Sequence, residues 1–209
     1  MPPAGIIVGL GNPGPKYRFT RHNFGFLVIE ALVDAQRPPG CDATPAKAKP
    51  GQYAMWSFRP DTGKDQWLAA MPLSFMNRSG EAIAPIIKYF RIAPEKVLVV
   101  HDELDLPLGR LKMKFSGGAA GHNGVSSMAL HMGTKDFYRL KLGVGRPQGM
   151  DGASWVLAGF PAKDAPLVEQ VVASAVRAVE IFTDLGPEAA MQEINGLDLA
   201  ENTDEAPGA

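Results

Sequence analysis

His22, near the start of the chain, is the residue best suited to chemistry near neutral pH. It lies in the run GLGNPGPKYRFTRHN, residues 9–23. An imidazole titrates close to pH 7 and can accept a proton from water. The alternative is a structural role, in which His22 caps or packs the first turn of its own helix. Thr20 or Asn23 would be the better N-cap there. The run therefore predicts a general base, with a structural role as the alternative.

Three other polar clusters could complete a hydrolytic site around this base. They are FMNRSG (75–80), HDELD (101–105) and GGAAGHNG (117–124). Asp102 ends an apolar strand and could fix one imidazole tautomer, although it or Asp105 could instead cap a turn. Asn77 and Asn123 could donate to an oxyanion, or could serve only as turn residues. With a base, an acid and amides but no G-x-S-x-G nucleophile, the set predicts an enzyme that activates water.

The glycine spacing of residues 9–14 matches a dinucleotide-binding fingerprint, but the sequence that follows does not. That fingerprint needs a helix opening at its third glycine, and PKYR (15–18) has no helical period. The Asn-Pro-Gly turn would instead expose Asn12 beside the end of a strand. Four histidines and one cysteine, Cys41, show no metal-ligand spacing. We therefore expect neither a cofactor nor a metal.

Hydrophobic periodicity gives the elements that must position these residues. Strands are predicted at 5–10, 96–101, 110–115 and 137–144, a hairpin at 52–59 and 66–71 around 61–63, and helices from residue 23, at 79–90 and at 164–184. Residues 37–51 are predicted to form a mobile surface connection. The order predicts an α/β fold with a mixed sheet, in one domain over 1–196, followed by an acidic, flexible tail over 197–209.

The charge is distributed unevenly although the net charge is only −1. Residues 106–150 hold seven Lys or Arg against one Asp, whereas residues 151–209 hold two against eleven acids. Alternation in the two strands points Lys112, Lys114, Arg139 and Lys141 away from the core, which would suit a polyanion. Ordinary solvated charge is the alternative. The single cysteine favours a reducing compartment, and neither a signal peptide nor a membrane span is expected.

Taken together, the motifs GLGNPGPKYRFTRHNFGF, PLSFMNRSG, HDELDLPLG and GHNG resemble those of bacterial peptidyl-tRNA hydrolase, in the same order. The resemblance implies a single α/β domain with a twisted mixed sheet between helices. It also implies a cytoplasmic monomer, without metal, cofactor or obligate protein partner, that cleaves the ester joining a peptide to the 3′ ribose of tRNA.

By position, the resemblance assigns roles to individual residues. His22 is the base, Asp102 its partner, and Asn12 distinguishes a blocked from a free amino group. Asn77 also contacts tRNA and, in our reading, stabilises the oxyanion. The remaining contacts with the acceptor end of tRNA are Tyr17, Phe75 and Asn123, with Met76 and His122 lining the same cleft. Lys112, Lys114, Arg139 and Lys141 would be the phosphate footprint.

Two other functions remain possible from the sequence. An RNA-binding protein on the same scaffold, as among plant organelle splicing factors, would need only the basic face. A nicotinamide oxidoreductase would need the glycine run to bind a cofactor. The joint presence of His22, Asp102 and both asparagines favours the hydrolase.

Overall fold

Strands and helices alternate along the chain. The computed structural model describes residues 2–36, 47–49, 52–60 and 65–201. The strands are β1 (Gly5–Gly9), β2 (Lys47–Lys49), β3 (Tyr53–Phe58), β4 (Trp67–Pro72), β5 (Val97–Glu103), β6 (Leu111–Phe115) and β7 (Tyr138–Gly143). The α-helices are α1 (Phe24–Ala35), α2 (Ser79–Phe90), α3 (Asn123–Met132), α4 (Gly152–Val156), α5 (Ala165–Asp184) and α6 (Pro187–Ile194).

All seven strands form one mixed sheet in the order β2-β3-β4-β1-β5-β7-β6. The four strands β4, β1, β5 and β7 run parallel to one another, while β2, β3 and β6 are antiparallel to their neighbours. Because the carboxyl ends of the parallel strands meet at one edge of the sheet, the loops that follow them also converge there.

Helices cover both faces of the sheet. Along β1, Ile7 packs with α1, α5 and α6, whereas Ile6 and Val8 pack with α2 and α3. Every residue of β5 is buried, as its near-continuous apolar run predicts for a strand covered on both sides. The α/β class and the mixed sheet between helices are confirmed.

Most predicted elements are found where the sequence placed them. The helix predicted at 79–90 has those bounds as α2, and the hairpin strands pair as β3 and β4. The predicted turn at 61–63 lies outside the described residues. Within 37–51, which was predicted to form a mobile surface connection, residues 47–49 pair with β3 as an edge strand, and the other residues lie outside the described ranges. The short helices α4 and α6 were not predicted, because neither is long enough for a clear apolar period.

The segment after residue 196 begins with chain packed against the domain. The backbone N–H of Leu199 donates to the Gly109 carbonyl, and Asp198 forms an ion pair with Arg110. The described structure therefore continues past the predicted boundary at 196, and the rest of the predicted tail, residues 202–209, lies outside the described residues. No helix in the described ranges is long and apolar enough to cross a membrane.

Candidate active site

A cleft of about 480 Å³ opens at the edge of the sheet where the parallel strands end. The segments after β1 and β4, the end of β5 and the turn before α3 all contribute to its walls. Among the residues that line it are Asn12, His22, Phe75, Met76, Asn77, Asp102, Glu103, His122, Asn123 and Val156. The structure thus brings together eight of the predicted site residues that are far apart in the sequence.

His22 and Asp102 form a two-point contact in the wall of this cleft. The Nδ1 of His22 lies 2.9 Å from Oδ1 of Asp102 and 3.1 Å from Oδ2. Burial alone would raise the pKa of the Asp102 carboxyl. Charge interaction and hydrogen bonds with His122 and His22 outweigh burial and hold that pKa well below its usual range. An ionised Asp102 requires Nδ1 of His22 to carry the proton, which leaves the lone pair on Nε2.

The neighbours of His22 hold its turn against the sheet. His22 lies in a 3-10 turn, Arg21–Asn23, immediately before α1. The buried Arg21 guanidinium donates to the carbonyls of Trp155, Ala158 and Gly159 and lies over the Trp155 ring. At Gly25, a Cβ would stand 2.4 Å from the Val100 carbonyl oxygen. Glycine there allows α1 to approach β5 closely enough for His22 to reach Asp102.

Asn12 is held in a single orientation by two partners. Its backbone N–H donates to Oδ1 of Asn23, whose Nδ2 donates back to the Asn12 carbonyl. Its own Oδ1 accepts the backbone N–H of Met76 at 2.8 Å, and this contact determines which side of the amide carries the oxygen and which the nitrogen. Among the described residues its Nδ2 has no hydrogen-bond partner, so Asn12 presents a donor to the cleft.

Asn77 and Asn123 lie on the walls of the cleft with exposed side chains. Asn77 belongs to the 3-10 turn Met76–Arg78, and Asn123 is the first residue of α3. Neither amide bonds to another residue in the described part of the chain, so both are available to a ligand. Phe75 is 58% exposed beside them, whereas Met76 is buried.

Tyr17 is the predicted contact that the cleft does not include. It ends the 3-10 turn Pro15–Tyr17 and is partly buried, with the Lys16 ammonium 4.6 Å from its ring centre. The helix required by a dinucleotide site is also missing from this segment: a 3-10 turn follows Gly14, and α1 begins only at Phe24. The glycine run therefore lacks the helix N-terminus that would face a pyrophosphate.

His22, Asp102 and His122 are close enough together to suggest a metal site. Their ligand atoms lie within 4.8 Å of one another. Each imidazole nitrogen that faces Asp102 is, however, within hydrogen-bond distance of a carboxylate oxygen, at 2.9 Å in both cases. Protons shared with Asp102 satisfy this cluster, so its hydrogen bonding does not require an ion.

The prediction that Arg139 belongs to an exposed footprint is wrong. Its side chain is fully buried, donates to the carbonyls of Gly118 and Lys135, and lies 4.8 Å from the Phe137 ring centre. Burial lowers its pKa. Because α3 and the loop at 117–121 cover this face of β7, Arg139 supports that loop rather than meeting solvent.

The three lysines of the predicted footprint differ in accessibility. Lys112 is exposed and Lys114 is partly buried, and both lie on β6. Lys141 pairs across from Lys112 on β7 and forms a close ion pair with the buried Glu103. Burial first, and then repulsion by Lys141, Arg139 and Lys112, lowers the pKa of Lys114. A cluster of cations with one acid is a surface that an anion would stabilise.

Sequence reasoning missed two positioning contacts. Asn23 was read only as a helix cap, yet its side chain caps nothing and holds Asn12 instead. His122 was predicted to line the cleft, which it does, but the contact of its Nε2 with Oδ1 of Asp102 was not predicted. In the sequence, the only signal for either was a polar residue beside a stronger candidate.

Comparison with known proteins identifies relatives along nearly the whole chain. The family model described as peptidyl-tRNA hydrolase matches residues 6–203. The peptidyl-tRNA hydrolase of Oleidesulfovibrio alaskensis is 50% identical over 196 residues, which cover 93% of this chain and 98% of that protein. The peptidyl-tRNA hydrolase of Thermus thermophilus is 41% identical, with the same coverage of both chains.

A solved structure has the same architecture. The crystal structure of peptidyl-tRNA hydrolase from Acinetobacter baumannii superposes with a TM-score of 0.83 at 33% identity, and the match covers 96% of this chain and 98% of that one. Fold, length and sequence therefore agree across these relatives.

Proposed function

This chain belongs to the peptidyl-tRNA hydrolase family and hydrolyses peptidyl-tRNA, and on that premise we propose that His22 is its general base and Asp102 the residue that orients it. The observation that carries the proposal is the two-point contact between them at the cleft. The contact holds Nδ1 of His22 as a donor and leaves Nε2 without a partner among the described residues. A base for water needs that arrangement.

The residues of the cleft and one water account for each proton transfer of this reaction. Nε2 of His22 takes a proton from water, and the hydroxide adds to the ester carbonyl carbon. The negatively charged Asp102 stabilises the imidazolium that forms. When the tetrahedral intermediate collapses, the bond to the ribose oxygen breaks and that oxygen takes the proton back from Nε2.

Amides in the cleft would stabilise the oxyanion and place the tRNA end. Asn77 and Asn123 have uncommitted side chains, and an amide N–H aimed at a developing oxyanion stabilises the transition state more than the ester. We assign the oxyanion to Asn77. Asn123 and Phe75 would contact the terminal nucleotides, Phe75 by stacking its exposed ring on a base. Met76 would support them from below, and Tyr17 would contact the acceptor end from outside the cleft.

The orientation of Asn12 explains how a blocked amino group could be distinguished from a free one. Only its Nδ2 donor faces the cleft, because its Oδ1 is held by the Met76 amide. A donor matches the carbonyl of a peptide or acyl group. A free ammonium offers only donors and carries a charge that this amide cannot satisfy.

The function is tested with N-acetylated and free aminoacyl-tRNA, using wild type and Asn12→Asp, with a chelator present. Wild type is expected to release the acetylated amino acid and to leave the free one intact. In Asn12→Asp, the Met76 contact survives but an oxygen replaces the donor. The preference for the acetylated substrate is expected to fall by about tenfold or more.

Asn195→Asp is the matched control, because among the described residues that amide bonds only to the backbone of Met113 on the edge strand β6, away from the cleft. An unchanged preference in Asn12→Asp would contradict the assignment. A wild-type protein that binds the tRNA but releases nothing would instead favour the RNA-binding alternative.

We propose that Lys112, Lys114 and Lys141 bind tRNA phosphates, with Arg139 restricted to holding the loop at 117–121. The three lysines lie on neighbouring strands, β6 and β7, and the buried Glu103 is ion-paired with one of them, Lys141. Phosphate contacts of this kind set affinity and orientation without reading sequence.

The double variant Lys112→Ala/Lys114→Ala is expected to weaken tRNA binding at low salt. The slope of log Kd against log salt concentration should become shallower by about 1 to 2, since each phosphate contact contributes a little under one. Lys88→Ala/Lys163→Ala removes the same charge from exposed positions elsewhere and should leave the slope unchanged. Equal slopes in both double variants would contradict the footprint.

We further propose that the protein works as a monomer in the cytoplasm, without a cofactor. The described site is completed by residues of one chain, and the relatives come from bacteria, where peptidyl-tRNA arises on cytoplasmic ribosomes.

A further inference from the structure

His122 has both imidazole nitrogens occupied within the protein. Its Nδ1 accepts the backbone N–H groups of Gly124 and Val125, at 3.2 and 3.3 Å, at the start of α3. Its Nε2 lies 2.9 Å from Oδ1 of Asp102. Because backbone amides can only donate, Nδ1 must be the acceptor, and the proton therefore resides on Nε2. With 7% of its side chain exposed, His122 has no nitrogen left for the substrate.

Asp102 is therefore shared by two imidazoles. Oδ1 accepts hydrogen bonds from both His122 and His22, whereas Oδ2 accepts from His22 alone. The carboxylate is 2% exposed. In a buried setting, each imidazole N–H stabilises the negative charge of the carboxylate, and the carboxylate then binds the other imidazole N–H less strongly.

We propose that His122 is a positioning residue of the hydrolytic site: it fixes the Asp102 carboxylate against His22 and limits how strongly that carboxylate holds the His22 proton. The proposal rests on the assignment of His22 as the base. It adds a role to the prediction that His122 lines the cleft.

The groups around this carboxylate add little other charge. His22 faces it from the turn before α1 and His122 from the turn before α3. On β5 itself, the buried His101 donates from Nδ1 to the Asp102 carbonyl, and its ring centre lies 4.8 Å from that of His122. Burial, the largest cause, lowers the pKa of His101 well below its usual value, so His101 is neutral. The next carboxylate, Glu103, is paired with Lys141.

The same side chain joins the base to a wall of the cleft. By accepting amide hydrogens of α3, His122 acts as the N-cap of the helix whose first residue is Asn123. A displacement of α3 would therefore move Asn123 and the donor to Asp102 together.

Two substitutions separate the two bonds of His122. In His122→Asn, the side-chain oxygen can still cap α3, but the shorter side chain does not reach Asp102. His122→Leu loses both bonds. In both variants Asp102 loses the hydrogen bond from His122, so it holds the His22 proton more strongly. The acid-side midpoint of the kcat/KM profile for acetylated aminoacyl-tRNA should move up by about 0.5 to 1 pH unit in both variants, with KM changed less than about twofold in His122→Asn.

His131 is on the same helix, and its imidazole bonds to the Ser127 carbonyl rather than to the cleft; His131→Asn should leave the profile unchanged. A raised KM with an unmoved midpoint in His122→Asn would overturn the proposal and make His122 a substrate contact. If His22→Ala keeps the wild-type acid limb, the assignment of the base fails instead. Long-range proton–nitrogen NMR spectra of the wild type give a test independent of any variant. A His122 protonated on Nε2 alone is expected, and one protonated on Nδ1 would overturn the proposal.

Discussion

His22→Ala is expected to lower kcat for acetylated aminoacyl-tRNA by roughly 10²- to 10⁴-fold, the range that loss of a general base produces. No other described side chain can replace it. His122 donates from Nε2 to the same carboxylate, and His101 is buried on the strand. The variant leaves the lysines and asparagines of the cleft in place, so its Kd for tRNA should stay within about threefold of the wild-type value. Single-turnover release and equilibrium binding measure the two quantities separately.

The matched control is His131→Ala, which removes an imidazole from α3 outside the cleft. It should hydrolyse the substrate at the wild-type rate. Thermal melting of both variants would show whether loss of activity follows loss of fold. A folded His22→Ala protein with wild-type kcat would refute the assignment of the base.

Local patterns were enough to predict most of the scaffold. The bounds of α2 follow from a clear apolar period, and β5 follows from an uninterrupted apolar run. The edge at which the strands end also predicts where ligands gather, which is why Asp102 could be placed near the site. The contact between His22 and Asp102 joins residues 80 positions apart. Motif order and resemblance suggested it, whereas spacing could not.

Arg139 shows where the pattern is insufficient. Its alternation with Leu140 and Leu142 correctly places it on the other face of β7, but alternation does not show what covers that face. The carbonyls of Gly118 and Lys135 and the ring of Phe137 come from segments whose positions are set by tertiary packing. The same holds for Asn23, whose partner Asn12 belongs to another turn.

Asp102→Asn tests the electrostatic part of the site while nearly preserving its shape. If the amide oxygen takes the place of Oδ1, it still accepts from His122 and His22, but the amide nitrogen then replaces Oδ2, 3.1 Å from Nδ1 of His22. Two donors would face each other there, unless His22 changes tautomer and places its proton on Nε2. Either result weakens the base, and the charge that stabilises the imidazolium is lost in both. We expect kcat to fall by about 10²- to 10⁴-fold, with little change in tRNA binding.

The control for this substitution is Asp105→Asn, three positions along the chain. Its carboxylate is 55% exposed and paired with Arg146 at the surface, where an ion pair contributes little. It should therefore keep wild-type kcat and stability.

Unfolding measured against pH separates the two carboxylates further. Because the pKa of Asp102 is depressed in the folded protein, its contribution to stability is present above the unfolded-state pKa and is lost as pH falls below that value. The fall in stability on acidification should thus be less steep in Asp102→Asn than in wild type or Asp105→Asn. Identical acid profiles for all three proteins would mean that the two histidines do not hold Asp102 as a carboxylate.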